Sequence, residues 1–274
     1  MKDMWISKKT GIRRRGTSVS ELISLFESGI TVEAICEPLY IVAKNSEAIY
    51  IANQLSEKDF DVAGLAESED KPVNGYVRRS DLKKGICRDY LINFSVTDLI
   101  SEATPLTDVL TALRDRSYLF ILENTNVNAI VTRADLQKPA VRILIFGLIT
   151  LLEMNLSYLI RKNYLKESWR TELSKERLNK AYDLMKKRAE RNEVLDLIDC
   201  LEFCDKRDLI LKNQECLNVF TPDSKSKIER KLRAIENLRD LVAHAQDLCS
   251  RSSWEEVIDT VSDTKEMILK CEGV

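Results

Sequence analysis

An internal repeat constrains the fold of residues 30–136 more than any other feature of the chain. The apolar stripe Ala48, Ile51, Ala52, Leu55 and Phe60 recurs 58 positions later as Leu106, Val109, Leu110, Leu113 and Tyr118. Each set has the i, i+3, i+4, i+7 spacing of one face of an amphipathic helix and then reaches an aromatic residue. The recurrence predicts one supersecondary unit present twice, with each copy burying its apolar face against its surroundings.

In both copies the helical stripe is followed by two β-like runs with a polar turn between them. These runs are residues 62–65 and 74–77 in the first copy, and residues 119–122 and 128–131 in the second. Both copies close on similar residues, Arg-Ser-Asp-Leu at 79–82 and Arg-Ala-Asp-Leu at 133–136. We therefore predict a repeated β-α-β-β-α unit over residues 28–140.

The sequence after Pro139 has a helical texture, with one proline (Pro222) and one glycine (Gly147) between residues 141 and 271. We predict helices at residues 141–164, 172–191, 193–218, 224–250 and 253–271. Ser224 follows the break at Pro222 and is a suitable N-cap for the fourth helix. The predicted fold class is α+β, with the repeats followed by an all-α bundle over residues 141–274.

The net charge of −2 excludes a basic field over the whole protein, so contacts with nucleic acid would need local basic patches. Residues 1–27 include six Lys or Arg and form a predicted arm, either a solvated linker or a contact for anions. Residues 161–191 hold eleven Lys or Arg against five Asp or Glu, which indicates a solvated face or a phosphate-contacting surface. We expect the nearby Tyr158, Tyr164 and Trp169 to belong to the core rather than to stack on bases.

The seven cysteines are scattered without a CxxC pair, and the chain has one histidine. This composition predicts free thiols and no metal site, although Cys200 and Cys204 lie four residues apart. The most apolar run, residues 143–152, is too short to span a bilayer. We expect a cytoplasmic protein with no membrane segment.

The repeat resembles a tandem CBS (Bateman) module, through residues 75–77 and the closing segment 130–136. The resemblance implies clefts for an adenine nucleotide or a related ligand, contacted through a Thr-x-x-Asp signature. Thr132 and Asp135 match it in the second copy, whereas Asp81 in the first copy is preceded by Arg78 at the hydroxyl position. Arg78 either destroys the first site or converts it to phosphate binding. The alternative is that Asp81 and Asp135 only cap closing helices.

The segment 236–244 resembles the Arg–His motif of HEPN domains, with Arg239 and His244 separated by four residues. Residues 151–153 and 201–211 give weaker support for a HEPN domain over residues 141–274. The resemblance implies a metal-independent ribonuclease whose Arg and His line a cleft between two subunits. On one helix these positions are offset by about 140°, which a homodimeric cleft would accommodate. Asp240 lies four residues before His244 and is predicted to orient its ring.

Together the two resemblances imply an endoribonuclease that acts on RNA without a cofactor and is regulated by a nucleotide-sensing CBS pair. Such a fusion suggests a bacterial toxin or an antiviral defence effector. The alternative is a non-enzymatic, nucleotide-sensing regulatory protein whose helical domain binds a partner.

Overall fold

A computed structural model describes residues 24, 29–69, 71–191 and 196–273. Their contacts divide them into two compact units, Ser24–Val141 and the described part of residues 142–274. Of the predicted arm at residues 1–27, only Ser24 is among the described residues. The rest of the predicted arm lies outside them.

The first unit contains two small sheets, and each copy of the repeat contributes one β-α-β-β segment. The strands are β1 (Glu37–Pro38), β2 (Ile41–Ala43), β3 (Val62–Ala66), β4 (Val73–Arg78), β5 (Leu99–Ser101), β6 (Tyr118–Glu123) and β7 (Asn126–Thr132). Helix α1 (Ala48–Glu57) joins β2 to β3, and helix α2 (Leu106–Ala112) joins β5 to β6. The sheet orders are β2-β3-β4 and β1-β7-β6-β5.

The two copies share topology and register, so the predicted duplication of the strand–helix–strand–strand segment is confirmed. In each copy the strands flanking the helix are parallel and the next pair is antiparallel. Arg78 pairs with Val62 in the first copy, as Thr132 pairs with Tyr118 in the second. Arg78 therefore occupies the strand position that corresponds to Thr132.

The closing α-helix of each predicted unit is not found. In the second copy it is a 3-10 helix, Arg133–Gln137, and in the first copy residues 79–81 form a turn. A capping box between Thr132 and Asp135 starts the 3-10 helix. Arg78 occupies the corresponding position in the first copy, and its long side chain has no acceptor that could cap a helix. The chain therefore forms a turn there.

Four aromatic rings hold the two sheets of this unit together. The rings of Tyr76 and Phe120 lie 4.8 Å apart between centroids, and those of Phe94 and Phe120 lie 4.9 Å apart. Tyr118 meets Phe120 edge-on at 5.5 Å. Tyr76 belongs to the first copy and Phe120 to the second, so these contacts join the copies across the unit.

The second unit is helical, as predicted. Its first and last helices have about the predicted lengths, and the segment between them forms shorter and more numerous helices than predicted. The helices of the unit are α3 (Pro139–Asn163), α4 (Lys175–Ala189), α5 (Phe203–Lys212), α6 (Gln214–Asn218), α7 (Lys225–Ala243) and α8 (Trp254–Glu272). The Ser224 hydroxyl accepts the amide hydrogen of Lys227, which confirms the predicted N-cap. Helix α7 packs against α5 and α8 through its buried residues, which include Ile228, Leu232, Ile235, Leu238 and Leu241.

The predicted helix at residues 193–218 is wrong. Its described part contains a 3-10 helix, Leu197–Cys200, and then α5 and α6 as separate helices. Asp205 accepts the amide hydrogen of Glu202, and Asn213 accepts that of Cys216. These side chains each start a new helix, because polar side chains that satisfy free backbone donors compete with helix continuation.

Of the aromatic residues beside the basic segment, Trp169 belongs to the core as expected, whereas Tyr158 and Tyr164 are half-buried. Trp169 is 1% exposed. The Tyr164 hydroxyl donates to the carbonyl of Leu209 at 2.8 Å, and burial raises the pKa of Tyr164 to about 12.

Helix α3 is the one described helix that is long and apolar enough to cross a membrane, with a mean hydropathy of 2.0 over its most apolar window. It is longer than the run at residues 143–152 suggests. Of that window, 61% is buried within the protein, as in the core helix of a soluble protein.

Gly75 gives the first testable prediction, because a Cβ atom there would lie 2.4 Å from the carbonyl oxygen of Ile92. The backbone of Tyr76 exchanges two hydrogen bonds of 2.9 Å with Ile92, so the segment cannot retreat without losing them. We expect Gly75→Ala to lower the free energy of unfolding by about 1–3 kcal/mol in urea titrations.

Gly29→Ala is the matched control, because a Cβ at Gly29 has no atom within 4 Å. Equal stability of the two variants would show that the segment at Ile92 can accept a side chain at residue 75.

Candidate functional site

A cleft of about 480 Å³ lies between the two copies of the repeat. Its lining residues come from both copies: Asp61, Val62, Tyr76, Arg78, Arg79, Ser80, Asp98, Arg116, Ser117 and Tyr118. The aromatic contact between Tyr76 and Tyr118 forms part of its wall, with ring centroids 6.1 Å apart. This volume falls in the range of small-molecule sites.

Three arginines line the cleft, and two of them have carboxylate partners. Arg79 pairs with Asp61 at 2.7 Å, and Arg116 pairs with Asp98 at 3.1 Å. Within the part of the chain that the structure describes, Arg78 has no carboxylate partner. The cleft therefore contains one guanidinium whose charge is not neutralised by an ion pair.

Two tyrosine hydroxyls hold the Arg78 guanidinium in place. Its Nε donates to the Tyr118 hydroxyl at 3.2 Å, and a terminal nitrogen donates to the Tyr76 hydroxyl at 3.3 Å. The hydrogen bond to Tyr118 is the largest of the influences that raise the pKa of Arg78 above its ordinary value. Burial raises the pKa of Tyr118, so its hydroxyl stays protonated at neutral pH.

The signature of the second copy, Thr132 and Asp135, lies outside the cleft lining. Its carboxylate is already bound by other groups of the chain. Asp135 is 8% exposed, and its carboxylate accepts hydrogen bonds from the Thr132 amide and hydroxyl, both at 2.8 Å. The Lys138 ammonium lies 2.9 Å from the other Asp135 oxygen and also pairs with Glu37. Neither Thr132 nor Asp135 lines the cleft.

Asp81 is exposed and also lies outside the cleft lining. Its carboxylate accepts a hydrogen bond from the hydroxyl of Ser80 at 2.9 Å. Of the four ligand-binding residues predicted from the sequence, only Arg78 lines the cleft. The two tyrosines that hold it were missed, because the repeat marks Tyr118 only as the end of an apolar stripe.

In the helical unit, Arg239 lies beside an acidic residue that the sequence analysis gave no role. Its Nε is 3.7 Å from a carboxylate oxygen of Glu153, and a terminal nitrogen is 3.7 Å from Asp240. The other Glu153 oxygen accepts from the buried Lys206 at 2.7 Å. Glu153 is thus fixed by Lys206, while 37% of the Arg239 side chain remains exposed.

His244 lies at the C-cap of α7, and its position follows from how this helix ends. Ala245 has a φ of 51°, in the left-handed region. The amides of Ala245 and Gln246 donate to the carbonyls of Val242 and Leu241. This Schellman pattern stops the helix, which was predicted to continue to residue 250. A left-handed residue at this position is usually glycine, so the alanine gave no sequence cue.

The His244 side chain is exposed and has no hydrogen-bond or ion-pair partner among the described residues. Asp240 contacts Arg239 rather than His244. The structure therefore brings Asp240 and Arg239 together and leaves the imidazole facing solvent. The amide of His244 still donates to the carbonyl of Asp240, so the helical offset between Arg239 and His244 continues to the C-cap.

One group of possible metal ligands occurs in the described part of the chain: Glu202, Cys204 and Asp205. The Arg177 guanidinium pairs with Asp205 and donates to the Cys204 sulfur at 2.8 Å. A guanidinium already supplies the positive charge there, and we do not assign the group to a metal.

No family model matches the chain, and no curated protein matches it. Similar solved structures include CBSX2 in complex with AMP, at 18% identity and a TM-score of 0.37, covering 42% of this chain and 98% of that chain. A CBS domain pair in complex with 5′-methylthioadenosine and S-adenosyl-L-methionine has 17% identity and a TM-score of 0.34. The match covers 39% of this chain and 96% of that chain. CbpB in complex with c-di-AMP has 15% identity and a TM-score of 0.34. The match covers 43% of this chain and 87% of that chain.

The left-handed Ala245 gives a prediction with opposite signs at two neighbouring alanines. Ala245→Gly should raise the free energy of unfolding by about 1 kcal/mol, because glycine adopts a positive φ without the Cβ penalty. Ala243→Gly, in the last helical position of α7, should lower it by about 0.5–1 kcal/mol. Urea titrations of both variants measure the difference. A loss of stability in Ala245→Gly would contradict the Schellman ending of α7.

Proposed function

We propose that the repeat unit binds an anionic nucleotide of the adenine class in the cleft around Arg78. The observation that carries this proposal is a guanidinium in a cleft of ligand size with no carboxylate partner among the described residues. A guanidinium presents paired donors to phosphate oxygens in a planar fork. The Tyr76 and Tyr118 hydroxyls fix the orientation of that fork before a ligand arrives.

Arg78 lies where the signature of the family that the repeat resembles has a hydroxyl. The proposed ligand is therefore held by its phosphate charge at this site. Thr132 and Asp135 would form a second ligand site only after Lys138 moves away from Asp135, because the carboxylate is already paired. Asp81 is proposed to contact the ligand only indirectly, beside Ser80 at the rim.

Ligand binding is tested by thermal unfolding of the full chain with AMP, ATP, S-adenosylmethionine and cyclic di-AMP. A ligand at a hundredfold excess over its Kd adds about 2.7 kcal/mol of stability, which corresponds to a rise in Tm of several degrees. We expect Arg78→Ala to remove most of this rise, because the phosphate loses the one cation that has no carboxylate partner among the described residues lining the cleft.

Arg88→Ala is the matched control, since Arg88 is an exposed arginine of the same unit outside the cleft lining. It should keep the full rise in Tm. If Asp135→Ala abolishes the rise and Arg78→Ala does not, the ligand occupies the second signature. The absence of a rise with every nucleotide would leave the repeat unit as a dimerisation scaffold.

We further propose that the helical unit is a metal-independent endoribonuclease of the HEPN type that uses Arg239 and His244. The observation in favour is an exposed imidazole that has no partner among the described residues and lies at the same end of α7 as a partly exposed guanidinium. A neutral imidazole can take the proton of a ribose 2′-hydroxyl, whose oxygen then attacks the adjacent phosphorus. The bond from phosphorus to the 5′-oxygen of the next nucleotide breaks, an imidazolium returns a proton to that oxygen, and a 2′,3′-cyclic phosphate remains. The guanidinium stabilises the charge that develops on the phosphate oxygens, and Asp240 positions Arg239.

This activity would require two copies of the chain, with Arg239 and His244 of each facing one cleft. An exposed apolar stripe on α3 supports such a dimer, because Ile143, Phe146 and Met154 are 58%, 49% and 36% exposed. These residues recur at helical spacing on α3. Glu153, the partner of Arg239, lies on the same helix. We propose that a second copy of this chain covers the stripe.

A nucleotide could regulate the helical unit only if it favours one arrangement of that unit over another. The 3-10 helix Arg133–Gln137 is separated from α3 by Lys138 alone, so the connection has little slack. The proposed combination would suit a bacterial toxin or defence effector. The alternative function is a non-enzymatic nucleotide sensor whose helical unit binds a partner protein.

Cleavage of a generic single-stranded RNA in the presence of EDTA tests the nuclease. We expect the wild type to cleave, and Arg239→Ala and His244→Ala each to lower the rate by at least about 100-fold, the scale of a lost acid–base or oxyanion contact. Both variants should keep the Tm of the wild type, since both side chains are partly or fully exposed. Arg233→Ala, an exposed arginine on the same helix, should retain activity.

Mixing the two inactive variants tests the dimer. A cleft shared by two copies would contain one intact Arg239 and one intact His244, and the mixture should regain part of the activity. An active monomer by light scattering would contradict the shared cleft. Unchanged cleavage by His244→Ala would exclude His244 as a catalytic residue. Absence of cleavage by the wild type would favour the non-enzymatic sensor.

A further inference from the structure

Helix α4 presents a row of exposed side chains that neither proposed site uses. Lys175, Asn179, Tyr182 and Lys186 follow one another at intervals of four, three and four residues, so they share one face of the helix. All four are exposed, and Ala181 is the one described residue of α4 that is buried. We call these four residues the α4 stripe.

The two lysines of the stripe carry charges that the protein does not neutralise. Neither Lys175 nor Lys186 has an ion-pair partner in the described part of the chain, whereas Lys180 on the neighbouring face lies 3.9 Å from Glu176. The lysines are eleven residues apart, which places their Cα atoms about 16 Å apart along the helix. An elongated anion could therefore contact both ends of the stripe.

Between the lysines lies an exposed aromatic ring held by a cation. Tyr182 is 40% exposed, and its hydroxyl accepts a hydrogen bond from Arg170 at 3.2 Å. The Arg170 guanidinium lies 5.9 Å from the centroid of this ring and 5.8 Å from that of Trp169. Because Trp169 is 1% exposed, Arg170 is anchored to the core and fixes the Tyr182 ring at the surface.

We propose that the α4 stripe binds single-stranded RNA, with phosphates at Lys175 and Lys186 and an unpaired base stacked on Tyr182. Cationic groups that track the backbone and aromatic rings that stack on bases are the two elements of single-strand binding. A lipid surface would require several apolar residues on the same face as the lysines, but the stripe offers one aromatic ring, Tyr182, beside the polar Asn179. This inference rests on the proposed ribonuclease, for which the stripe would be the substrate-binding surface.

The test measures fluorescence anisotropy of a labelled single-stranded RNA with 2′-O-methyl ribose, which cannot be cleaved through its 2′-oxygen. Lys175→Ala combined with Lys186→Ala should reduce the slope of log affinity against log salt by about 1.4, since each phosphate contact on a single strand contributes about 0.7. Tyr182→Ala should weaken binding at least about fivefold, and Tyr182→Phe should restore most of it, because stacking needs the ring.

Lys180→Ala combined with Lys187→Ala is the matched control, with the same change in charge on the adjacent face. It should change the salt slope by less than half as much. Equal effects of the two double variants would overturn the stripe in favour of a general field around α4. Binding to vesicles of anionic phospholipid with no binding to RNA would also overturn it.

The failure of this inference is distinguishable from the failure of the nuclease. If His244→Ala abolishes cleavage while the stripe variants cleave RNA with an unchanged KM, the stripe is excluded and the nuclease stands. If neither the wild type nor any variant cleaves RNA, the nuclease is excluded. The stripe still stands in that case if anisotropy shows the predicted dependence on Lys175, Lys186 and Tyr182.

Discussion

The packing of Tyr76, Phe94, Tyr118 and Phe120 is the interaction on which the repeat unit depends. These rings come from both copies and from the segment that connects them, so they join the two sheets. Tyr76 and Tyr118 also carry the hydroxyls that hold Arg78. The same contact therefore stabilises the unit and orients the charge in its cleft. Gly75 allows this arrangement, because any side chain there would displace the connecting segment at Ile92.

The sequence predicted the elements of the repeat well, because hydrophobic periodicity reports which face of a helix or strand is buried. Ala48, Ile51 and Leu55 are buried in one copy, and Leu106, Val109 and Leu110 are buried in the other. The register of β3 with β4 also gives the correspondence of Arg78 with Thr132 that the closing segments indicate. These features are local or repeated, and a single sequence contains them.

Several partners of the predicted site residues could not be predicted, because they lie far away in sequence. Asp135 is paired by Lys138 three residues away, yet Lys138 also reaches Glu37, about a hundred residues earlier in the chain. Arg78 meets Tyr118 from the other copy, and Arg239 meets Glu153 from another helix. The end of α7 was missed for a different reason, since Ala245 adopts a conformation that its residue type disfavours.

The contrast between paired and unpaired charges decides which candidate residues can act on a ligand. A carboxylate that already accepts three hydrogen bonds, like Asp135, must exchange them for any new contact, and the exchange yields little net free energy. An arginine held by two neutral hydroxyls keeps its full charge for an incoming phosphate, because tyrosine oxygens orient it without neutralising it. A motif match is thus weaker support for a ligand site than an unsatisfied charge in a cleft. By this criterion we propose Arg78, rather than the better-matching Thr132 and Asp135, as the residue through which the repeat unit would bind an anion.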